Sequence, residues 1–256
     1  MPRKQRYTQP GLYHIINRGV EQRDIYLEAK DYYFFLDLLL DIAKKYDIII
    51  HSFCLMTNHY HILLETKKDN LSKAIQHLND KYAKYFNKKY KRLGHLWQGR
   101  FKSYPLFDDV HFWIVVKYIE RNPIKANMVK SVDIYKYQSF FQWKYKYSYF
   151  ELLNSSKIFN MTLKEYIEYI ETELTQDAID IVYKTPKVIL VDNKFKVLDK
   201  RLETFFDIDV DIDRNSNIKK AYNYGYTKSE IAKYLLLSHT AVSKILKKGY
   251  QELSKE

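Results

Sequence analysis

Apolar positions change period several times along the first 150 residues. Gly11 to Gly19 reads as a strand closed by a glycine turn. From Glu28 to Tyr46, Tyr32, Phe35, Leu36, Leu39, Leu40 and Ala43 recur at helical spacing. Ile48 to Leu55 predicts a second strand. Thr57-Asn58 supplies turn chemistry, and Tyr60 to Glu65 returns as a third strand, close enough to pair as a hairpin. Asn70 to Lys89 predicts a helix with Leu71, Ile75, Leu78, Tyr82 and Phe86 on one face. After a loop at 94–100, Phe101 to Phe107 reads as a fourth strand. A further helix is capped by Asp108 or Asp109 and should end near Asn122, because Pro123 disfavours helical geometry in the residue before it.

Strand, helix, hairpin, helix, strand is the split β-α-β order of an α+β, ferredoxin-like fold. It predicts an antiparallel sheet with helices on one face. That domain should be complete by residue 150. Residues 151–210 read as a connecting region, with Thr162 to Glu165 a capping box for a helix and 183–200 unassigned. Residues 211–256 predict an all-α helix-turn-helix domain. Ile218 to Tyr222 is a first helix broken by Gly225. A second opens on the Thr227-to-Glu230 box and runs through Leu235, and a third ends before Gly249, with Ile231, Ala232, Val242 and Ile245 facing inward.

Charge changes the picture next. The 43 Lys+Arg against 31 Asp+Glu leave a formal +12, which favours a polyanion, nucleic acid first, over a coding bias toward lysine. Cys54 is the only cysteine, so an intrachain disulfide and a cysteine zinc site are both excluded. No apolar run has the length of a signal peptide or membrane span, which predicts a cytoplasmic protein without a membrane partner. With 25 tyrosines, none stands out by its presence alone.

The candidate chemistry begins at Met56-Thr57-Asn58-His59-Tyr60-His61. On a strand His59 and His61 face the same way, with Tyr60 opposite. Two neutral imidazoles side by side can hold a divalent metal if a third ligand arrives from elsewhere. They can equally be surface polar residues. Tyr118 and Asn122 are four apart and share a helix face. They could supply a nucleophile and an amide ligand, or simply packing and a helix end before proline.

Resemblance bears on these alternatives. His59-Tyr60-His61 is similar to the His-hydrophobic-His signature of the HUH single-strand endonucleases. Tyr13 to Gly19, Met56 to Leu64, Gly94 to Ser103 and Tyr118 to Pro123 together resemble the REP-associated tyrosine transposases, relatives of insertion-sequence transposases, over residues 5–145. The resemblance implies an HUH-type nuclease domain in which His59, His61 and Asn122 bind Mg²⁺ or Mn²⁺. It implies that Tyr118 attacks a phosphate of single-stranded DNA, leaving a 5′-phosphotyrosine and a 3′-hydroxyl. The DNA would carry a hairpin or inverted repeat, and the protein would work as a monomer or a homodimer. Tyr60, where the signature usually has an aliphatic residue, should fill a buried position if its hydroxyl finds a partner.

For DNA contacts the matched loop points to Arg100 and Lys102, with His95 touching DNA or orienting the loop. The basic stretch from Lys81 to Arg92, interleaved with Tyr82, Tyr85, Phe86 and Tyr90, reads either as a base-stacking surface or as an ordinary amphipathic helix. In the last helix His239, Thr240, Ser243, Lys244 and Lys247 would face a DNA groove. The rival readings are a non-catalytic DNA-binding regulator descended from a transposase, and a replication-type nicking enzyme.

Overall fold

The computed structural model describes residues 6–183, 187–191, 194–198, 202–206 and 214–252. β1 (Gly11–Arg18), α1 (Ala29–Tyr46), β2 (Ile48–Leu55), β3 (His59–Thr66), α2 (Leu71–Lys89) and β4 (Lys102–Leu106) follow in the expected order. The four strands form one antiparallel sheet in the order β2-β3-β1-β4. Both edges of β1 are thereby paired inside the sheet, and the strand carrying the two histidines lies between β2 and β1.

Alternation along β3 decides what each face meets. Tyr60, Ile62 and Leu64 are fully buried and face α1 and α2. The Tyr60 ring lies 5.0 Å from that of Phe35, and its hydroxyl donates to Asn79 Oδ1 at 2.9 Å. The buried tyrosine thus has the partner it needs. α1 opens on a Glu28–Asp31 capping box. Asp31 also accepts from Lys89, from the Tyr85 hydroxyl at 3.0 Å and from the Tyr90 hydroxyl at 2.7 Å. These bonds tie the start of α1 to the end of α2. Tyr82 and Phe86 are fully buried in the core. The base-stacking reading therefore fails for them, because their rings are consumed by packing.

The expectation of helices on one face needs correction. α3 (Asp109–Lys125) crosses the opposite face, and α4 (Ser139–Lys144), α5 (Leu163–Glu171) and α6 (Gln176–Val182) complete that layer. The reason is visible in the alternation: Ser52, Cys54, His61 and Leu63 are also buried, so this face too must be covered. α3 is capped by Asp108, which accepts from the His111 backbone N–H at 2.7 Å. It does not stop at Asn122 but runs through Pro123 to Lys125. A proline in the last turn removes one bond from a ladder that is about to end, so the cost is small.

The division expected at residue 150 lies instead at 185/186, giving compact units of 1–185 and 186–256. Leu152, Leu153, Ile158, Tyr166, Ile170 and Val182 join the first core, so the segment after 150 is a covering layer. Its Thr162–Glu165 capping box is formed. The boundary expected at 210 falls on 207–213, outside the described residues. The second unit holds β5 (Lys187–Val191) paired with β6 (Lys194–Leu198), then α7 (Arg214–Tyr224), α8 (Lys228–Tyr234) and α9 (His239–Glu252). Leu198, Ile218, Ala221, Ile231, Ala232, Val242 and Leu246 are its buried core. Gly225 breaks the first of these helices at φ +130°, and a Cβ there would come within 2.6 Å of Ile189 Cδ1. The Thr227–Glu230 capping box is formed as expected. α9 runs past Gly249 to Glu252, beyond the expected stop. Among the described residues no helix is long and apolar enough to cross a membrane.

Candidate functional site

A cleft of ≈ 660 Å³ opens where the ends of β1, β3 and β4 meet α3, and His59, His61, Tyr118, Asn122, Arg100 and Lys102 all line it. Strand register explains the histidines: Arg18 pairs with His59 and Ile16 with His61, so the two imidazoles emerge side by side. Their ring centroids are 5.0 Å apart at an interplanar angle of 80°. At the end of β1, Gly19 donates its N–H to the Asn58 carbonyl at 2.9 Å. A Cβ at Gly19 would run into the Arg23 carbonyl, so the chain can fold back from the end of β1 in this way only with glycine there.

Each imidazole is oriented by a neighbour on its Nδ1 side. Asn58 Oδ1 lies 2.6 Å from His59 Nδ1. An amide oxygen only accepts, so Nδ1 carries the proton and Nε2 keeps its lone pair. His61 Nδ1 lies 2.9 Å from Nε2 of His14 on β1, and the two rings are stacked at 5.2 Å. When His61 Nδ1 is the donor of this pair, its Nε2 keeps a lone pair as well. Burial, with Arg18 adding to it, holds His59 down at about 4. Burial first, then His14, His59 and Arg18, hold His61 well below the ordinary imidazole value. Both are neutral near pH 7, the state in which imidazole ligates a metal. Burial takes His14 down to about 3, with His111 adding to it and the Val182 carbonyl opposing part of the shift.

α3 brings the other two residues. Tyr118 stands edge-on to His61 with ring centroids 5.6 Å apart. Asn122, one turn on, donates from Nδ2 to the Tyr118 carbonyl at 2.9 Å, which leaves its Oδ1 as the acceptor. Among the described residues no three His, Cys, Asp or Glu side chains gather as a metal site. The donor set here is two imidazoles and one amide oxygen. That set fits a divalent cation whose remaining positions are filled by water or phosphate oxygens.

The opposite side of α3 fixes its placement. Glu120, fully buried, accepts from the Ser52 hydroxyl at 3.1 Å, the Tyr166 hydroxyl at 3.0 Å and the Phe140 N–H at 3.1 Å, and also from Ser139. Burial outweighs these donors and raises its carboxyl to about 7. Arg121 donates to the Ile170 and Glu171 carbonyls at 3.0 and 2.7 Å, closing the end of α5.

The cleft is basic at its rim. Arg18, Arg100, Lys102 and Lys125 line it together. Arg100 and Lys102 are placed by the loop that β1 holds: the Gln98 N–H donates to the Arg18 carbonyl, and the Val20 N–H to the Leu96 carbonyl, both at 2.9 Å. His95 lines a neighbouring groove of ≈ 980 Å³ with Arg6, Gln76, Lys84 and Asn87. Asn17, Gln98, Gly99 and Arg100 border both the groove and the cleft. In the second unit His239, Thr240 and Lys244 are exposed and Ser243 is partly so. The Lys247 side chain lies outside the described residues.

Sequence reasoning did not single out Asn58, His14, Tyr104 or Tyr183 as site residues. Tyr104 and Tyr183 line the cleft. His14 could have been found by parity, since it alternates with Ile16 and Arg18 on the face that β1 shares with His61. Nothing in the sequence points to Tyr183.

Residues 9–122 match the model of the IS200-like transposase family. A search of curated protein sequences finds no match. Among solved structures, a REP-associated tyrosine transposase bound to a REP hairpin is similar at 20% identity and a TM-score of 0.48, over 56% of this chain and 84% of that one. A candidate transposase from Deinococcus radiodurans R1 is similar at 20% identity and a TM-score of 0.34, over 47% of this chain and 97% of that one.

Proposed function

We propose that this chain, whose residues 9–122 match the model of the IS200-like transposase family, cuts and rejoins single-stranded DNA with Tyr118 as nucleophile. The observation that carries this reading is the convergence in one basic cleft of a phenol on α3 with two neutral imidazoles on β3. His59 and His61, each through Nε2, and Asn122, through Oδ1, would hold the divalent cation, Mg²⁺ or Mn²⁺. Such a cation draws charge from the non-bridging oxygens of a phosphate and so makes its phosphorus easier to attack.

The chain's own residues then do the following. Arg18, Arg100, Lys102 and Lys125 neutralise the backbone phosphates around the cut. The Tyr118 oxygen bonds to phosphorus as the bond to the 3′ oxygen breaks. The phenol proton is lost to solvent, and the departing oxygen takes up a proton as a 3′-hydroxyl. The 5′ end stays on the enzyme as a phosphodiester of Tyr118. A phenol, with an ordinary pKa of ~10, leaves more readily than an alkoxide, so a 3′-hydroxyl can reverse the step with no outside energy source.

The groove that shares Arg100 with the cleft supports an unpaired strand. Gln76 and His95, both exposed, offer hydrogen-bonding groups to base edges, which are free only outside a duplex. We assign a hairpin beside the cut, as an inverted repeat would form, to the substrate class. The second unit would hold duplex DNA through α9, with His239, Thr240, Ser243, Lys244 and Lys247 toward the groove.

Labelled single-stranded oligonucleotides with and without hairpins, incubated with Mn²⁺, test this reading through a denaturant-resistant adduct. The adduct should form with the hairpin strands and vanish in Tyr118→Phe. His59→Ala or His61→Ala should slow cleavage roughly a hundredfold or more. An adduct that survives in Tyr118→Phe places the nucleophile elsewhere. No adduct from any strand favours the non-catalytic regulator.

A further inference from the structure

We propose that Tyr183 is a positioning residue for the nucleophile: its phenol donates a hydrogen bond to the Tyr118 hydroxyl oxygen and holds that oxygen toward the cleft. The role rests on the reading of Tyr118 as nucleophile. It concerns a residue 65 positions downstream, beyond the segment 9–122 that matches the transposase family.

The geometry comes first. The two phenol oxygens are 2.5 Å apart. Tyr183 is the residue that ends α6, a helix packed on α3. Its ring is held from three sides, by elements that also build the site. It stacks on His14 at 5.9 Å and 26°. It meets Tyr104 of β4 edge-on at 5.2 Å and Tyr118 edge-on at 5.7 Å. Just before it, Val182 is fully buried, which anchors the end of α6 in the core. The residue is 39% exposed, and these ring contacts orient its hydroxyl toward Tyr118; preorganised donors are the effective ones.

The surroundings of Tyr183 decide which phenol holds a proton as the reaction proceeds. Burial first, then its contacts with Tyr118 and Tyr104, push its phenol up from the ordinary value. It therefore keeps its proton when Tyr118 gives up its own, and in that state it is the donor. The Tyr118 oxygen accepts on one lone pair and keeps the other for phosphorus. In the rejoining step, Tyr118 leaves as a phenoxide, and the same O–H meets the negative charge as it develops. A hydrogen bond to a charged oxygen is stronger than one to a neutral hydroxyl, so the contact favours departure over the bound ester.

The test uses the full chain carrying Tyr183→Phe, which keeps the ring contacts and removes only the hydroxyl. Three quantities are read: the single-turnover rate of adduct formation on a hairpin oligonucleotide with Mn²⁺, the affinity for the same strand, and the Tyr118 ¹³Cζ resonance in metal-free, tyrosine-labelled protein. That resonance is identified by its loss in Tyr118→Phe. We expect the rate to fall about tenfold, the affinity to stay within about twofold and the resonance to move. A purely structural role for Tyr183 would not separate rate from affinity in this way.

An unchanged rate overturns the proposal, whether or not the resonance moves. A faster rate also overturns it, since Tyr183 would then be covering the nucleophile. An active wild type with an unimpaired Tyr183→Phe sinks only the role given to Tyr183. A wild type that forms no adduct sinks the nucleophile reading and this role with it.

Discussion

Two imidazoles on one strand can serve a cation only if each keeps a bare nitrogen turned the same way. The spacing of His59 and His61 supplies the common direction, and it was legible from strand parity alone. The choice of nitrogen was not. It depends on Asn58 Oδ1 at His59 Nδ1 and on His14 Nε2 at His61 Nδ1, and His14 lies 47 residues away in sequence. Partners of this kind fix ring orientation and ligand basicity, and their loss typically costs about 10–100-fold in metal affinity. Asn58→Ala should therefore weaken Mn²⁺ binding by that factor, measured calorimetrically, while the melting temperature of the metal-free chain changes little. Affinity equal to wild type would show that Asn58 does not orient His59.

At the level of elements, α3 is the part that must be held still. Its Tyr118–Asn122 spacing was readable as one face, but the anchoring face was not, because Glu120 looks like any surface carboxylate of a charged helix. Its four donors come from β2, α4 and α5. Its carboxyl is raised to about 7, against ~4.5 in an unfolded chain. Between those values the folded state binds the extra proton, so this group's contribution to stability is full below pH 4.5 and is lost as pH rises through 7. The shift corresponds to about 3 kcal/mol. In Glu120→Gln that loss should be absent. The stability of wild type relative to the variant should fall by about 3 kcal/mol from pH 4.5 to pH 7.5 in urea unfolding, and parallel pH curves would refute the assignment.

Across the whole molecule the histidines work in the opposite direction. His14 is lowered to about 3, and His51 and His59 to about 4, burial being the main cause in each. An unfolded chain protonates them near ~6.5. Their neutral burial therefore contributes fully above pH 6.5 and is lost as pH falls toward 4. At about 3 kcal/mol or more for each such shift, three of them outweigh Glu120. The metal-free chain should unfold cooperatively on acidification between pH 6 and pH 4, followed by far-UV circular dichroism. A chain still folded at pH 4 would contradict this. The net charge of +12 and the cationic rim predict a second property of the whole chain. Its affinity for DNA should fall linearly with salt on logarithmic axes, by about one decade per decade of salt for each phosphate neutralised. A flat response would remove the electrostatic basis for the partner assigned here.

What the sequence determined by itself was whatever repeats locally. Periods of two and of three to four residues placed four strands and the helices between them. Capping boxes placed two later helices, and parity paired the histidines. The tertiary structure decided what depends on neighbours distant in sequence. It covered the second face of the sheet with α3, drew residues 151–182 into the first core and carried α3 past Pro123. It also gave each of the two imidazoles its Nδ1 partner and set Tyr183 against Tyr118. The physical reason is common to all of these. Local patterns show which side of an element must be buried, whereas the partner that buries it, or shares its proton, is chosen only when the elements pack.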